Sequence, residues 1–465
     1  MTALKALFLS GAALLGGCTL APRYQRPEAP VPAAFPTGAA YAPQTAAAPA
    51  TLDYQDIVLD PRLRSLIAQG LDSNRDLRIA AANIAAARAQ YRIVRSDLVP
   101  NVDLTGSATS SGSGDGANAQ SSRAYSVRLG VTAFELDFFG HLRSLSAAAL
   151  DRYLATEAGA RATRLPLSGD ISAAWSTYAA DAALLAIAKD TAANAQNSVR
   201  LTQARLEGKV AARTDLAQAQ GVLADAQASI AEQTAAMAQD LNALQLLIGA
   251  PVDPALLPAS IEDAGSAFAL VPAGVDSSVL LRRPDVLQAE FELKAANANI
   301  GAARAALFPR ITLTGLAGVA SNALGSLFES GSYSYSAGAN LALPIFQGGA
   351  GVAGVAQSKA ERDAALASYE RSIQAAFRDT ADALARQGTL TAQMSAQTAA
   401  LAAATDAARL TEARYRAGVD SFLTSLVAQR SLFSARRAMT NVQLTDAINR
   451  VALYRALGGD IVAPP

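Results

Sequence analysis

Apolar and polar side chains alternate along four short segments of the chain, at about residues 101–110, 123–138, 310–320 and 333–345. Such alternation predicts strands with one apolar face. Elsewhere Leu, Val and Ile recur at helical spacing in Ala-rich sequence, and two stretches, about 142–207 and 350–416, predict very long helices. Each long helix is followed by a shorter helix that returns along it. The pattern therefore predicts a mixed α and β fold built around long helical hairpins.

The order of helix, β-hairpin and long helical hairpin occurs twice. The segment from Pro100 to Gly106 returns as Pro309 to Gly315, with four of the seven residues identical. The same offset of 209 residues places Asp76 on Asp285. A repeat on this scale predicts two halves of one body, which we assign to residues 59–250 and 276–458.

Proline and glycine mark the limits of these elements, because proline cannot continue a helix and glycine favours turns. The boundaries between strands and helices are marked by Pro100, Pro309, Gly140 and Pro344. Gly208 and Gly418 are expected to turn the two helical hairpins, and the offset relates them with one residue of slippage. The remaining segments are a signal peptide at 1–17, an extended Pro-rich segment at 18–58, a linker at 251–275 and a tail at 459–465.

The N-terminus has the pattern of a lipoprotein signal. One Lys precedes an apolar run from Ala6 to Leu15, which is too short to span a bilayer as a stable helix. The run leads to Leu15-Gly-Gly-Cys18, and Cys18 is the only cysteine of the chain. The alternative is an ordinary signal peptide with a chance cysteine. We expect cleavage before Cys18 and its acylation. By resemblance to other lipoproteins, Thr19 in place of Asp indicates the outer membrane.

Composition excludes several classes of function. The net charge is zero, so no basic surface for nucleic acid is expected. One His and one Cys exclude an intramolecular disulfide and a Cys/His metal cluster. His141 follows Gly140 at a strand-to-helix boundary, where a polar boundary residue is a better interpretation than a catalytic base. The sequence therefore predicts neither an enzyme nor a cofactor.

The four predicted strands are long enough to cross a bilayer as tilted strands of about 9–11 residues. Outside the signal no run of 18 apolar residues occurs, so no transmembrane helix is predicted. A half-buried sheet in a water-soluble protein would also explain the alternation. In lipid, however, open sheet edges cannot exist. Four strands per chain would then require closure by several copies, and three copies would supply twelve strands.

Several short motifs follow one another in a fixed order on the duplicated scaffold. They are Cys18 in its lipobox, Phe134-Glu-Leu-Asp-Phe-Phe-Gly140, Asp285 with Leu307-Phe-Pro309, Leu343-Pro-Ile-Phe346, and Tyr415-Arg-Ala-Gly-Val-Asp420 with Ala428-Gln-Arg430. Together they resemble the outer membrane factor family, in its NodT-type lipoprotein branch of drug-efflux channels. The resemblance covers essentially the whole chain.

The resemblance implies a homotrimer in the outer membrane. Its twelve strands would form a transmembrane β-barrel continuous with a long periplasmic α-helical barrel, and the lumen would be a passive exit duct. The implied partners are a periplasmic adaptor (membrane fusion) protein, a proton-driven inner-membrane pump and outer-membrane lipid. Drugs, dyes, metal ions and siderophores all stay open as cargo. The alternative functions are type I protein or peptide secretion and a non-conducting helical lipoprotein.

The resemblance also implies a gate at the turns of the helical hairpins. Tyr415, Arg416 and Asp420 flank Gly418, and Asp420 matches the acidic position of the family's periplasmic constriction. Asp215, near the other turn, is a weaker candidate. Three Asp420 side chains around one axis would repel one another unless Arg groups or cations lie between them. Asp420 also fits the N-cap of a helix that resumes at Ser421, and the two roles do not exclude each other.

Overall fold

The computed structural model describes residues 19–41, 54–113, 120–269 and 276–459. The expected signal peptide, Cys18 and most of the C-terminal tail lie outside the described residues. The helices of the first repeat and the linker are α1 (Tyr54–Ile57), α2 (Pro61–Ser73), α3 (Arg75–Ser96), α4 (His141–Glu207), α5 (Arg213–Ile248) and α6 (Ile261–Ser266). Those of the second repeat are α7 (Pro284–Ala305), α8 (Ala350–Arg416) and α9 (Phe422–Ala456). The strands are β1 (Asp103–Ser113), β2 (Gln120–Leu136), β3 (Arg310–Ser321) and β4 (Tyr333–Ala342).

The helices of the two repeats match position for position. Helices α3 and α7 each have 22 residues, and α4 and α8 each have 67. Both pairs begin and end 209 positions apart. Helix α4 continues through Pro166. The segment predicted as extended up to residue 58 contains one helical turn, Tyr54–Ile57.

The four strands form one antiparallel sheet in chain order, β1-β2-β3-β4. Among the described residues β1 and β4 each pair on one side only, so the sheet has two open edges. Strand β2 carries a bulge between Val131 and Phe134. The pairing of β3 with β4 is continuous from Arg310 with Ala342 to Val319 with Tyr333. Strand β4 ends at Ala342, earlier than the predicted limit of 345.

Two glycines allow β2 and β3 to approach closely. A Cβ atom on Gly318 would overlap the backbone oxygen of Val127, and one on Gly130 would overlap the backbone oxygen of Gly315. Gly130 also has a φ of 153°, which side-chain-bearing residues rarely adopt. The central pair of strands therefore depends on glycine at these two places.

The described chain divides into two compact units. The first unit comprises Met1–Glu28, Asn83–Glu157 and Gln288–Tyr369, and the second comprises Ala29–Ala82, Ala158–Leu287 and Glu370–Pro465. The first unit contains the sheet, and in it Ala148 of α4 packs against Ala295 and Ala298 of α7. Alanine at these contacts lets the two helix backbones lie close together.

The second unit contains the helical hairpins and a buried Trp175. The indole Nε1 of Trp175 donates a hydrogen bond of 3.0 Å to the carbonyl of Leu256, which satisfies its only polar atom. The guanidinium of Arg62 lies 5.6 Å from the ring centroid. Arg62 also pairs with Asp60 and Asp263, at 2.8 and 3.2 Å. The predicted linker thus packs on the helices through Leu256 and Asp263.

One helix in the described ranges, His141–Glu207, is long and apolar enough by composition to cross a membrane. Of its most apolar 18 residues, 39% are buried. Buried helices of many water-soluble proteins meet the same two criteria, so this helix alone carries little weight.

Candidate functional site

Each helical hairpin turns through one residue with left-handed backbone geometry. In the second hairpin this residue is Gly418, with a φ of 79°, and in the first it is Lys209, with a φ of 60°. Lys209 lies 209 positions before Gly418, so the two turns correspond without slippage. The expected slippage is therefore wrong, and Gly208 lies in the turn without being its left-handed residue. A non-glycine residue in this conformation costs roughly 1–2 kcal/mol.

Both turns close with the same pair of backbone hydrogen bonds, one of the 5→2 and one of the 6→1 type, which together form a Schellman motif. The amides of Lys209 and Val210 donate to the carbonyls of Leu206 and Arg205, at 2.9 and 2.8 Å. The amides of Gly418 and Val419 donate to the carbonyls of Tyr415 and Arg414, at 3.0 and 2.9 Å. The hairpin ends are therefore geometric copies of each other with different side chains.

Tyr415 is buried among the helices at this end. It packs in a cluster with Ala219, Phe422 and Leu426, and its ring centroid lies 5.4 Å from that of Phe422. Its hydroxyl lies 3.4 Å from the Thr202 hydroxyl of helix α4. Tyr415 thus joins the end of α4 to the turn between α8 and α9.

Arg205 is a residue at this site that the sequence did not single out. Its guanidinium lies 4.4 Å from the centroid of the Tyr415 ring. It also donates hydrogen bonds to the carbonyls of Tyr415 and Arg416, at 3.1 and 3.0 Å. The last carbonyls of a helix have no partner within the helix, and a cation there is stabilised by the helix dipole. Arg205 therefore caps α8 from the other hairpin.

Asp420 forms a two-pronged ion pair with Arg414. The guanidinium Nε and Nη2 of Arg414 donate to the carboxylate at 2.7 and 3.0 Å. The N-cap of α9 is Ser421, whose hydroxyl accepts from the amide of Thr424, so the N-cap role expected for Asp420 is wrong. Arg416, also named as a candidate gate residue, pairs with Glu412 of its own helix.

The hydrogen bonds from Arg414 hold the pKa of Asp420 below its usual range. A lowered pKa means that the pair stabilises the folded state above the unfolded pKa and loses this contribution as the pH falls through the folded pKa. The pair is therefore intact at neutral pH and weakens only in strong acid. Asp215 lies in the first turn of α5, and within the described ranges its carboxylate forms no ion pair.

The strand-to-helix boundaries form a second candidate site, in the first unit. Gly140 precedes α4 with a φ of 76°. Glu135, near the end of β2, pairs with His141 at 3.0 Å and with Arg310 at 3.3 Å. This is the polar boundary role expected for His141. Beside it the rings of Phe139 and Phe308 stack with centroids 4.6 Å apart, just before Pro309.

A strap of N-terminal residues, 19–26, lies along helix α7 in the same unit. Glu290 is almost fully buried beneath it. The Arg26 guanidinium donates to both carboxylate oxygens of Glu290, at 3.0 and 2.6 Å, and the Tyr24 hydroxyl donates at 3.2 Å. Lys294 lies 3.1 Å from the same carboxylate. Burial alone would raise the pKa of Glu290, but the bonds from Arg26 and Lys294 outweigh it and hold that pKa below its usual value.

The strap runs along α7 towards the sheet. The carbonyl of Pro22 accepts from Asn297 at 2.7 Å, and the carbonyl of Leu20 accepts from Arg304 at 3.0 Å. Leu20 is two residues from Cys18. This part of the Pro-rich segment is therefore extended, as predicted, and it lies along α7. It places residue 19 at the end of α7 nearest β3.

Both repeats are similar to known outer-membrane proteins. The sequence profile described as outer membrane efflux protein matches residues 66–250 and 276–459. The chain is 43% identical over 453 residues to the probable efflux pump outer membrane protein TtgC of Pseudomonas putida, covering 96% of this chain and 93% of TtgC. It is 40% identical over 449 residues to outer membrane protein OprJ of Pseudomonas aeruginosa, covering 96% and 93%.

The fold is also similar to a solved channel. The open state of the MtrE outer membrane channel of Neisseria gonorrhoeae superposes with a TM-score of 0.83 at 36% identity. The match covers 95% of this chain and 98% of MtrE. The similarity therefore includes the sheet and both helical hairpins.

Proposed function

The chain belongs to the outer membrane efflux protein family, and from that premise we propose that three copies form the exit duct of a tripartite efflux pump. It is an outer-membrane efflux channel protein, a transport component rather than an enzyme. The observation that carries the trimer is the four-stranded sheet, whose two edges have no partner among the described residues. Lipid offers no hydrogen bonds to such edges, so another copy must supply them.

The duplication indicates how a second copy would pair with the edge. Strand β2 pairs with β3 within the chain. By the offset, the counterpart of β2 is β4 and the counterpart of β3 is β1. Strand β4 of one copy would therefore pair with β1 of the next copy. Leu136 lies opposite Ile311. The offset of 209 then places Ile345 opposite Val102 of the next copy. The antiparallel register continued from there, without the bulge that β2 carries, places Asn340 opposite Ser107.

This register matches side chains of the same kind on each face. The apolar pairs across copies would be Leu343 with Leu104, Leu341 with Gly106, and Ala339 with Ala108. The polar pairs would be Asn340 with Ser107 and Ser336 with Ser111. A slip by one residue in either direction would place Asn340 opposite Gly106 or Ala108 instead of a polar side chain. The lumen face would then be polar and the lipid face apolar all round the barrel.

Helix α3 also lacks a partner that its counterpart α7 has. Helix α7 buries Leu293, Ala295 and Ile300, whereas α3 buries no residue and exposes Ile79 and Ile93 by 57% and 61%. Within the chain α7 packs on the start of α4. By the same offset, α3 would pack on the start of α8 from the next copy, which would bury this apolar surface.

The partners proposed for the trimer follow from the relatives, which are named as outer membrane proteins of efflux pumps. We infer that a periplasmic adaptor protein and an inner-membrane pump deliver cargo to the duct. Efflux is favoured over protein secretion because the relatives that match the whole chain are efflux components. The helical hairpins, with their turns at Lys209 and Gly418, are the proposed periplasmic end.

Cys18 is the proposed lipid attachment site. The strap leaves α7 two residues after Cys18, so an acyl chain there would lie at the end of α7 from which β3 begins. The mature N-terminal peptide should have the mass of a triacylated cysteine at Cys18, measured after protease digestion of the purified protein. A free thiol at Cys18, or a mature chain that begins elsewhere, would contradict this assignment.

The gate is proposed at the hairpin ends, where Arg414, Asp420, Arg205 and Tyr415 hold the turns together. Replacing Arg414→Gln with Asp420→Asn removes both charges of the ion pair and leaves a polar side chain at each position. If the pair keeps the hairpin ends in their narrow arrangement, single-channel conductance in planar bilayers should rise above that of the unsubstituted trimer. Block by multivalent cations should weaken because a ring of carboxylates is lost.

The matched control for the gate is the neighbouring pair on α8 alone. Arg416→Gln with Glu412→Gln removes one charge of each sign from the same region, but these two residues lie on one helix and join no hairpin to another. The pair of Arg414 with Asp420 instead spans the turn between α8 and α9. The conductance of the control is therefore expected to equal that of the unsubstituted channel. Equal conductance for both double variants would remove Asp420 from the gate.

A further inference from the structure

The strap lies on α7 and has no equivalent seat on α3. The residues of α7 that touch or flank the strap are Glu290, Lys294, Asn297, Gly301 and Arg304. The offset of 209 places Ala81, Ala85, Arg88, Arg92 and Arg95 at these positions of α3. None of these five positions of α3 carries a carboxylate that could hold a residue such as Arg26. A Cβ on Gly301 would lie 2.7 Å from the Cβ of Ala21, so Arg92 in its place would exclude a strap.

The same face of α3 instead carries three arginines. Arg88, Arg92 and Arg95 follow at intervals of four and three residues, which places them on one side of the helix. All three are exposed. Among the residues that the structure describes, none of these three guanidinium groups forms an ion pair or a hydrogen bond. The acidic residue next to them in sequence, Asp97, is exposed as well.

The position of the strap on α7 indicates where the stripe of Arg88, Arg92 and Arg95 lies along the equivalent helix α3. On α7 the corresponding face, at Arg304, meets Leu20, two residues from the proposed lipid on Cys18. Helices α3 and α7 end at equivalent positions, Ser96 and Ala305, and each leads through a proline into a strand. The stripe on α3 therefore lies on the face, and at the end of the helix, where α7 approaches lipid.

We propose that Arg88, Arg92 and Arg95 bind the phosphate groups of anionic phospholipids at the periplasmic surface of the outer membrane. This rests on the proposed function, because it requires that the strands beginning at Asp103 enter the membrane. Guanidinium groups suit phosphate, since they donate two parallel hydrogen bonds to it. The two repeats would then contact the membrane surface in different ways. Helix α7 would do so through the strap and the lipid proposed on Cys18, and α3 through phospholipid headgroups.

The test measures lipid retention by the full-length trimer in neutral detergent, using native mass spectrometry with phosphatidylglycerol and phosphatidylcholine as probes. The unsubstituted protein is expected to retain phosphatidylglycerol preferentially. Arg88→Gln with Arg92→Gln and Arg95→Gln should lower the affinity for phosphatidylglycerol by about tenfold or more, since each basic residue near an anionic surface contributes roughly a fivefold factor. Affinity for phosphatidylcholine should not change.

The matched control removes positive charge from the other end of the same helix. Arg75→Gln with Arg78→Gln should keep the preference for phosphatidylglycerol, and Arg92→Gln with Arg95→Gln, of equal charge change, should lose most of it. Equal affinities for these two double variants would overturn the proposal. So would the absence of any preference in the unsubstituted protein, a result that depends on no variant.

Two further measurements distinguish this proposal from two alternatives, a site for free anions and a contact with a second copy. Inorganic phosphate that displaces phosphatidylglycerol at equal concentration would identify a free-anion site and overturn the lipid assignment. A loss of trimer in the triple variant would mean that the stripe pairs with a second copy, which also overturns it. Conductance of the unsubstituted trimer in planar bilayers is independent of all these results, so failure of the lipid site leaves the channel function standing.

Discussion

Cysteines at Ser107 and Asn340 are expected to link the protein into a covalent trimer after mild oxidation. The transferred register places these residues opposite each other on neighbouring copies, and directly opposed Cβ atoms lie about 4.5–5.5 Å apart. That spacing is within reach of a disulfide with little movement. Each copy has one cysteine at each edge, so three bonds close the ring. Denaturing gels without reductant should show dimers and trimers that reductant returns to monomers.

The matched control uses Ser107 again, now with Ser126. These two residues are opposite each other within one chain, and their hydroxyls lie 2.8 Å apart. Ser107→Cys with Ser126→Cys should form a bond inside the chain and leave the oxidised protein at the mobility of a monomer. The single variants should show neither product. An internal bond in the control, with no link between copies through Asn340→Cys, would contradict the register and the closure of the sheet.

Replacing Gly318→Ala should strongly destabilise the sheet. Its Cβ would overlap the backbone oxygen of Val127 on β2, and Gly318 lies opposite Arg128 in the continuous part of the pairing. Backbone cannot move away as a flexible side chain can, so we expect a loss of about 3 kcal/mol or more in the free energy of unfolding. The measurement is the heat or denaturant midpoint of the detergent-purified trimer.

Gly315 on the same strand supplies the control for this substitution. It is exposed where Gly318 is half-buried, and a Cβ there would meet no atom within 4 Å. Gly315→Ala should leave the midpoint nearly unchanged. If Gly318→Ala also left it unchanged, β2 and β3 could not approach as closely as described.

The architecture could be predicted because the same structural unit occurs twice in the sequence. A repeat of 209 residues gave matched helices whose limits, Arg75–Ser96 and Pro284–Ala305, depend on local signals, chiefly the prolines that follow them. Alternation located the four strands because each has one apolar face. The end of β4 was predicted three residues too late, since the strand stops at Ala342 although apolar residues continue beyond it.

The details of the candidate gate could not be predicted, for two physical reasons. Ser421 and Asp420 are both good N-cap residues, and only the backbone direction at the turn decides between them. The contact of Arg205 with Tyr415 joins residues 210 positions apart, which no local pattern indicates. The left-handed conformation of Lys209 was missed because glycine is the usual residue in that conformation at a helix end. The preceding residue, Gly208, was therefore predicted as the turn.

The strap was missed for a related reason. A Pro-rich segment predicts extended backbone but not what that backbone contacts. The signal lay on α7 instead, where Glu290 and Lys294 are the polar residues that bind Arg26 and Tyr24. Comparison with Ala81 and Ala85 in the other repeat makes the difference visible, because the two helices are otherwise equivalent.

The central claim, that three copies enclose a conducting duct, is tested most directly by the conductance of the covalent trimer. The Ser107→Cys and Asn340→Cys trimer, isolated after oxidation, is reconstituted in planar bilayers with and without Arg414→Gln and Asp420→Asn. The account predicts discrete conductance steps from the covalent trimer, larger when the gate substitutions are present. A covalent trimer that inserts into the bilayer but gives no steps in either form would contradict it.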